Sequence, residues 1–183
     1  MFTYSHMKNI IVFIKNKFLA HTNPFCRIEE LDLNNKIITI HFRGINAQIK
    51  LTFDEIINDS VILSNLAPQQ ASWIGYYYGK HYSDLINKNS NYANFFDFSI
   101  DDQDEIFHIL MINRHGHIIY SNKDNNKTNT ISPTDAIKNE NIINKFSSIQ
   151  ACYIGILAGT ASNKISEKKT STLISNTHLK LVK

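Results

Sequence analysis

Cys152 is the residue of this chain best suited to nucleophilic chemistry. It falls in the first turns of a predicted helix, where the partial positive charge of the helix N-terminus lowers a thiol pKa. Its neighbours are apolar, and the matching position eighty residues earlier carries Ser72, which favours a buried structural thiol. Cys26 is far away in sequence and no CxxC is present, so neither a disulfide framework nor a cysteine-rich zinc site is predicted.

Histidines and acidic residues are grouped in the second half of the chain. His115 and His117 flank Gly116 at a predicted hairpin tip, with His108 upstream, but two strand-spaced histidines without a third ligand favour a solvated turn over a metal site. The acidic residues of segment 101–105 lack the glycine and the terminal glutamate of a calcium-binding EF-hand loop, so we expect a charged turn. The sequence therefore predicts neither a metal nor a cofactor.

The common catalytic motifs are absent from the sequence. It contains no Walker sequence, no dinucleotide fingerprint, no G-x-S-x-G elbow and no H-E-x-x-H helix. We therefore predict no catalytic residues and favour a non-enzymatic protein. A bacterial effector-like enzyme with Cys152 as its nucleophile stays as an alternative.

An aromatic and basic group lies on the predicted helix "QQASWIGYYYGKHY", residues 69–82. Trp73, Tyr77 and Lys80 share one side of this helix, and His81 follows. Because a helix that is apolar nearly all round is typically buried, we expect packing between layers to be the main role of these aromatic residues. The alternative is a partner-binding surface formed by these four residues. A platform for single-stranded nucleic acid would have more basic residues among exposed aromatics.

Two glycines in the same helix require an explanation, because a glycine inside a helix costs about 1 kcal/mol relative to alanine. A second stretch, "IQACYIGILAGTAS" at 149–162, repeats the pattern eighty positions later. The identical pairs are Gln70 and Gln150, Ala71 and Ala151, Ile74 and Ile154, Gly75 and Gly155, and Gly79 and Gly159. This register predicts an internal repeat.

The small residues of each copy lie along one side of their helix. Ala71, Gly75 and Gly79 form one such face, and Ala151, Gly155 and Gly159 form the other. Small faces allow two helix backbones to approach closely, and the added dispersion contacts offset the poor helix propensity of glycine. We therefore expect these two helices to cross near a pseudo-twofold axis that relates the repeats.

Alternating polar and apolar residues before these helices predict two three-stranded meanders. The first comprises "RIEELDL", "KIITIHF" and "NAQIKL", and the second comprises "NFFDFSI", "EIFHILMIN" and "HIIYSN". Thr52 with Glu55, and Ser132 with Pro133 and Asp135, then start predicted helices near 53–65 and 133–146. Residues 88–94 are predicted to be a connector and 122–130 a solvated loop. Near the end, "STLIS" and "HLKLV" are capable of pairing as edge strands or of docking on a partner.

Charge is uneven along the 183 residues, whose net charge is +3. Residues 1–20 carry three lysines and no acid, and residues 164–183 carry five lysines against Glu167. Residues 21–163 are therefore at about −4, so contact with nucleic acid would depend on the lysine-rich tails. The apolar run "IIVFI" at 10–14 is too short to span a membrane and ends at Lys15, so we expect a cytoplasmic protein without a transmembrane segment.

These patterns predict an α+β fold with two tandem β-β-β-α-α repeats, related by a pseudo-twofold axis and packed through the small-residue helix faces. The expected parts are an N-terminal amphipathic helix at 1–20, repeats at 27–88 and 94–163, and a basic, mobile tail at 164–183. The predicted function is a protein-interaction module, such as an adaptor, accessory or regulatory protein that binds another protein. A nucleic-acid-binding regulator is the alternative, and the sequence leaves the oligomeric state open.

Overall fold

The computed structural model describes residues 25–43, 46–81 and 105–178 of the chain. Two three-stranded antiparallel sheets, each followed by helices, make up this part, so the predicted α+β class is confirmed. The predicted N-terminal helix at 1–20, the connector at 88–94 and the segment "NFFDFSI" lie outside the described residues.

The first sheet is the predicted meander. Its strands are β1 (Cys26–Asp32), β2 (Ile37–Phe42) and β3 (Ala47–Thr52), in the order β1-β2-β3. Ile38, Ile40 and Phe42 on β2 alternate toward the core and are almost fully buried, as expected for a central strand with one apolar face. A register shift between Ile28 and Glu30 marks a β-bulge in β1.

In the described part of the chain, the second sheet also has three strands. Its strands are β4 (Phe107–Ile112), β5 (Ile118–Asn122) and β6 (Lys127–Ile131), in the order β4-β5-β6. The solvated loop predicted at 122–130 was therefore wrong for 127–130, which belong to β6. The cause is the exposed, polar sequence of this edge strand, which does not show the apolar alternation of a half-buried strand.

The hairpins of both sheets turn through residues with positive φ. Lys36 has φ 57° and Asn46 has φ 47° in the first sheet, and Gly116 has φ 76° and Asn126 has φ 55° in the second. Asparagine and glycine tolerate this left-handed region better than other residues. Lys36 and Gly116 are eighty positions apart, and so are Asn46 and Asn126.

Two short helices follow each sheet where the sequence predicts one. They are α1 (Phe53–Ile57) and α2 (Ser60–Ser64) in the first half, and α4 (Pro133–Lys138) and α5 (Glu140–Ile143) in the second. Asp59 and Asn139 interrupt the helical path because both have extended backbone, with φ near −110° and ψ near 95°. The capping box of Thr52 and Glu55 is present as predicted.

The long helices are α3 (Pro68–His81) and α6 (Ser148–His178). Because α6 continues to His178, "STLIS" at 171–175 is helical, so the edge-strand alternative was wrong for this stretch, and docking on a partner stays a prediction. The segment at 164–178, expected to be part of a tail, thus belongs to α6, whereas residues 179–183 lie outside the described part. Among the helices described, none combines the length and the apolar character needed to cross a membrane.

Two apolar clusters form the core, and α6 contributes to both. The first lies between the sheet β1–β3 and helices α1 to α3 and includes Cys152 and Ile156 of α6. The second lies under the sheet β4–β6 and includes Ala151 and Ile154 of the same helix. Tyr153 packs against both clusters, so α6 joins the two halves of the molecule.

Candidate functional site

The crossing of α3 and α6 brings together the glycines singled out in the sequence. A Cβ atom built on Gly75 would lie 1.9 Å from the backbone oxygen of Cys152, and one on Gly155 would lie 2.0 Å from that of Ser72. Neither position has room for a methyl group, since real Cβ atoms essentially never come within 3.0 Å of such an atom. The two helix backbones are therefore in direct contact.

The contacts at the other pair of glycines are of the same kind. A Cβ on Gly79 would lie 2.3 Å from the Ile156 backbone oxygen, and one on Gly159 would lie 2.1 Å from the Tyr76 oxygen. Ala71 and Ala151 are fully buried at the start of the same faces. This crossing fixes the orientation of α3, and with it the direction in which the opposite side of α3 points.

That opposite side carries the predicted partner-binding residues, which we call the Trp73 face: Trp73, Tyr77, Lys80 and His81. The side chain of Trp73 is 46% exposed, Lys80 and His81 are exposed, and Tyr77 is half-buried against the first core cluster. The expectation that α3 is buried nearly all round was wrong for this face. The reason is that Ala71, Ile74, Gly75, Tyr78 and Gly79 already direct the buried side of the helix toward α6 and the sheet.

Cys152 does not have the properties of a nucleophile in this fold. Its side chain is fully buried at the α3–α6 crossing, and this burial raises the pKa of its thiol against a smaller opposing effect from the backbone of Gly75. A raised pKa keeps the sulfur protonated and unreactive near neutral pH. Cys26 is also a buried free thiol.

The histidines of the β4–β5 hairpin do not assemble a metal site. His115 and His117 are exposed, and the Asn113 side chain accepts hydrogen bonds from both of their backbone N–H groups at 2.9 and 3.0 Å, which fixes the turn. Across residues 25–43, 46–81 and 105–178, no three His, Cys, Asp or Glu side chains lie close enough together to hold a metal ion.

A buried polar group, which we call the Glu105 cluster, joins the second sheet to the start of α6. It consists of Glu105, His108, Lys123 and Gln150. The Glu105 side chain has no exposed surface. Its Oε1 lies 2.6 Å from His108 Nδ1 and 3.3 Å from Lys123 Nζ, and its Oε2 accepts a hydrogen bond from Gln150 Nε2 at 2.7 Å. The carboxylate is therefore held by three partners.

The backbone of β4 fixes the orientation of the Gln150 amide. Ile109 N–H donates to Gln150 Oε1 at 3.1 Å, which directs Nε2 of the amide toward Glu105. Gln150 Nε2 also lies 3.2 Å from His108 Nδ1, the ring nitrogen that is 2.6 Å from Glu105 Oε1. The remaining ring nitrogen, Nε2, belongs to a side chain that is 26% exposed.

Sequence reasoning missed this cluster because its members come from three separate segments of the chain, with Glu105 and His108 in one, Lys123 in the second and Gln150 in the third. Glu105 belongs to the segment predicted as a charged turn, whereas its carboxylate is buried. A signal was available in the eighty-residue register. The positions matching Glu105 and His108 are Phe25 and Ile28, so apolar residues are replaced by a potential acid–base pair.

Comparisons with known proteins leave the function to be argued from this geometry. No family model, no curated protein and no solved structure matches the chain.

Proposed function

We propose that the chain is a protein-interaction module that binds its partner through the Trp73 face. The observation that supports this most directly is the 46% exposure of Trp73. Tryptophan, tyrosine and basic side chains are the types that contribute most to protein–protein binding energy, especially when they are grouped. Trp73, Tyr77 and Lys80 are grouped in this way on one side of α3.

The rigidity of α3 supports the same proposal. Its other side is fixed by backbone contacts with α6, so the exposed residues are held in place before a partner arrives. Surfaces on a fixed helix lose less conformational entropy on binding than surfaces on loops. Lys80 and His81 are basic and lie in the last turn of α3. The partner that fits is a protein segment with apolar side chains next to acidic ones.

The scaffold that we propose for this surface is a duplication, with tandem repeats at 27–88 and 94–163 related by a pseudo-twofold axis. Support comes from the glycine contacts, which are reciprocal at an offset of eighty: Gly75 on Cys152 and Gly155 on Ser72. An interface in which residue i meets j and j meets i is characteristic of twofold symmetry.

Other features repeat at the same offset and support the duplication independently. The backbone N–H of Cys26 donates to Asn65 at 2.9 Å, and that of Ile106 donates to Lys145 at 3.0 Å. The positive-φ turn residues and the extended N-cap residues Asp59 and Asn139 are also eighty apart. The Trp73 face breaks this correspondence, because the residue matching Trp73 is Tyr153, which packs against both core clusters.

The test is photo-crosslinking of the full chain in its native cell extract, with a photoreactive amino acid at position 73. We expect a protein adduct. In a separate affinity capture with the full chain lacking the photoreactive residue, we expect Trp73→Ala and Lys80→Glu to reduce recovery of the same protein by about tenfold or more. The matched control places the photoreactive residue at Leu33, which is 38% exposed in the β1–β2 turn and outside the Trp73 face.

The result that would overturn the proposal is equal capture from positions 73 and 33, or capture unaffected by Trp73→Ala. A nucleic-acid adduct at position 73 that is removed by nuclease would support the alternative of a nucleic-acid-binding regulator. In that case binding would weaken steeply as salt is raised.

A further inference from the structure

We propose that two copies of this chain associate by pairing their β6 strands edge to edge, which joins the second sheet of each copy into one continuous sheet. One side of β6 (Lys127–Ile131) pairs with β5 along the whole strand. In the part of the chain that the structure describes, no strand pairs with its other side. An edge strand presents unpaired backbone N–H and C=O groups, which another strand can bind. This surface does not depend on the Trp73 face.

The free edge of β6 is accessible from both faces of the sheet. All four residues of segment 127–130 are exposed, and successive residues of a strand point to opposite faces. Asn129 pairs with Tyr120, whose side chain is buried in the second core, yet Asn129 itself is exposed. Because paired residues lie on the same face, the helices leave this part of the edge uncovered. A neighbouring strand therefore has room beside β6.

The other edges of the two described sheets carry features that oppose such pairing. β1 and β4 are each interrupted by a β-bulge, and β3 has Lys50 in its middle. Native proteins use bulges and lysines of this kind to prevent edge-to-edge association. β6 pairs with β5 without a register shift, has the neutral Thr130 eighty positions after Lys50, and carries its one charge, Lys127, at its end.

The sequence of β6 favours a second copy as the occupant of this edge. It reads K-T-N-T-I and is nearly symmetric about Asn129. In an antiparallel pair centred on Asn129, Thr128 lies opposite the second copy's Thr130, and Lys127 lies opposite its Ile131. No like charges then face each other, and threonine pairs across strands are stabilising. A twofold axis relates the two copies, as in most symmetric dimers.

The size of this contact sets the strength that we expect. Pairing of two five-residue strands buries less than the total of about 1,200 Å² that is typical of stable complexes. The dimer should therefore be weak and reversible, with a Kd on the order of 10–100 μM.

The test is sedimentation velocity of the full chain from about 1 μM to about 1 mM, a range that brackets this Kd. We expect a reversible change from monomer to dimer. Asn129→Lys places two lysines directly opposite each other and should weaken the dimer by about fivefold or more. Gln48→Lys adds the same charge at an exposed position of β3 and is the matched control, which should leave association unchanged.

Two double variants test the register of the pairing. Thr128→Lys with Thr130→Glu places each new lysine opposite a glutamate of the second copy and should tighten the dimer by about fivefold. Thr128→Lys with Thr130→Lys should weaken it by about the same factor, because like charges are then opposed. Both threonines are exposed, so these variants keep the test decisive should Asn129→Lys fail to fold, and circular dichroism checks the fold of each.

Three results would overturn the proposal. The first is a monomer at every concentration, and the second is a dimer whose Kd is the same in all the folded β6 variants. The third is a dimer that is lost in Trp73→Ala but kept in Asn129→Lys, which would place the contact between copies on the Trp73 face.

Discussion

Gly155 illustrates how a single residue can reverse the usual effect of a substitution. Helix propensity alone predicts that Gly155→Ala stabilises α6 by about 1 kcal/mol. The added Cβ would, however, lie 2.0 Å from the backbone oxygen of Ser72, which belongs to a helix and cannot move like a side-chain end. We expect a net loss of about 2 kcal/mol in the free energy of unfolding, measured by urea denaturation.

Gly116→Asn is the control that measures the effect of replacing a glycine where no backbone contact is close. A Cβ at Gly116 meets nothing within 4 Å, and asparagine tolerates the φ of +76° at this position. Its free energy of unfolding should change by less than about 1 kcal/mol. If the substitutions at positions 155 and 116 had equal effects, or if Gly155→Ala were stabilising, the close contact of α3 and α6 would not be what determines the change in the free energy of unfolding.

The small-residue faces of α3 and α6 could be predicted from the residue types alone. The environments of the side chains around these faces could not. The spacing of Gly75 and Gly79 is a property of one helix, so it is visible in the sequence. The exposure of Trp73 depends on which other elements cover α3, and the pairing of Glu105 with His108 and Gln150 depends on how β4 meets α6. Neither property is local in the chain.

At the scale of elements, Asp59 and Asn139 provide a matched pair of helix starts. Both have the same extended backbone before a short helix. The Asp59 carboxylate accepts hydrogen bonds from Val61 N–H at 3.0 Å and Ile62 N–H at 3.2 Å, whereas the Asn139 side chain makes no capping bond. We expect Asp59→Ala to lower the free energy of unfolding by about 1 kcal/mol or more, measured by denaturant titration.

Asn139→Ala should change the free energy of unfolding by only a few tenths of a kcal/mol, because no cap is lost. Similar losses in the two variants would mean that the Asp59 cap contributes little.

The same comparison explains why the sequence predicted one helix where two are present. Asp59 and Asn139 fit a helical pattern by spacing, and only their backbone angles interrupt it. Strand β6 was missed for the opposite reason, since its exposed residues lack the pattern although β5 pairs with it along its whole length.

At the scale of the whole molecule, α6 is the element through which the two halves are coupled. It contributes Cys152 and Ile156 to the first core and Ala151 and Ile154 to the second, and its glycines contact the backbone of α3. Loosening either core therefore disturbs the helix that both cores share. The α+β class and the first sheet were predictable from alternation in sequence, but this coupling arises only when α3 and α6 are in contact.

A core substitution in one half should consequently be detected by a probe in the other. Ile143 is fully buried in the second core, and Trp73, the only tryptophan, lies on α3 of the first half. We expect Ile143→Ala to lower the free energy of unfolding by about 2–5 kcal/mol when unfolding is followed by Trp73 fluorescence. Ile62→Ala, at a buried position of the first core, is the matched control and should have a similar effect. If Ile143→Ala left the Trp73 transition unchanged while Ile62→Ala shifted it, the halves would unfold separately, and the α3–α6 contact would not make the molecule one cooperative unit.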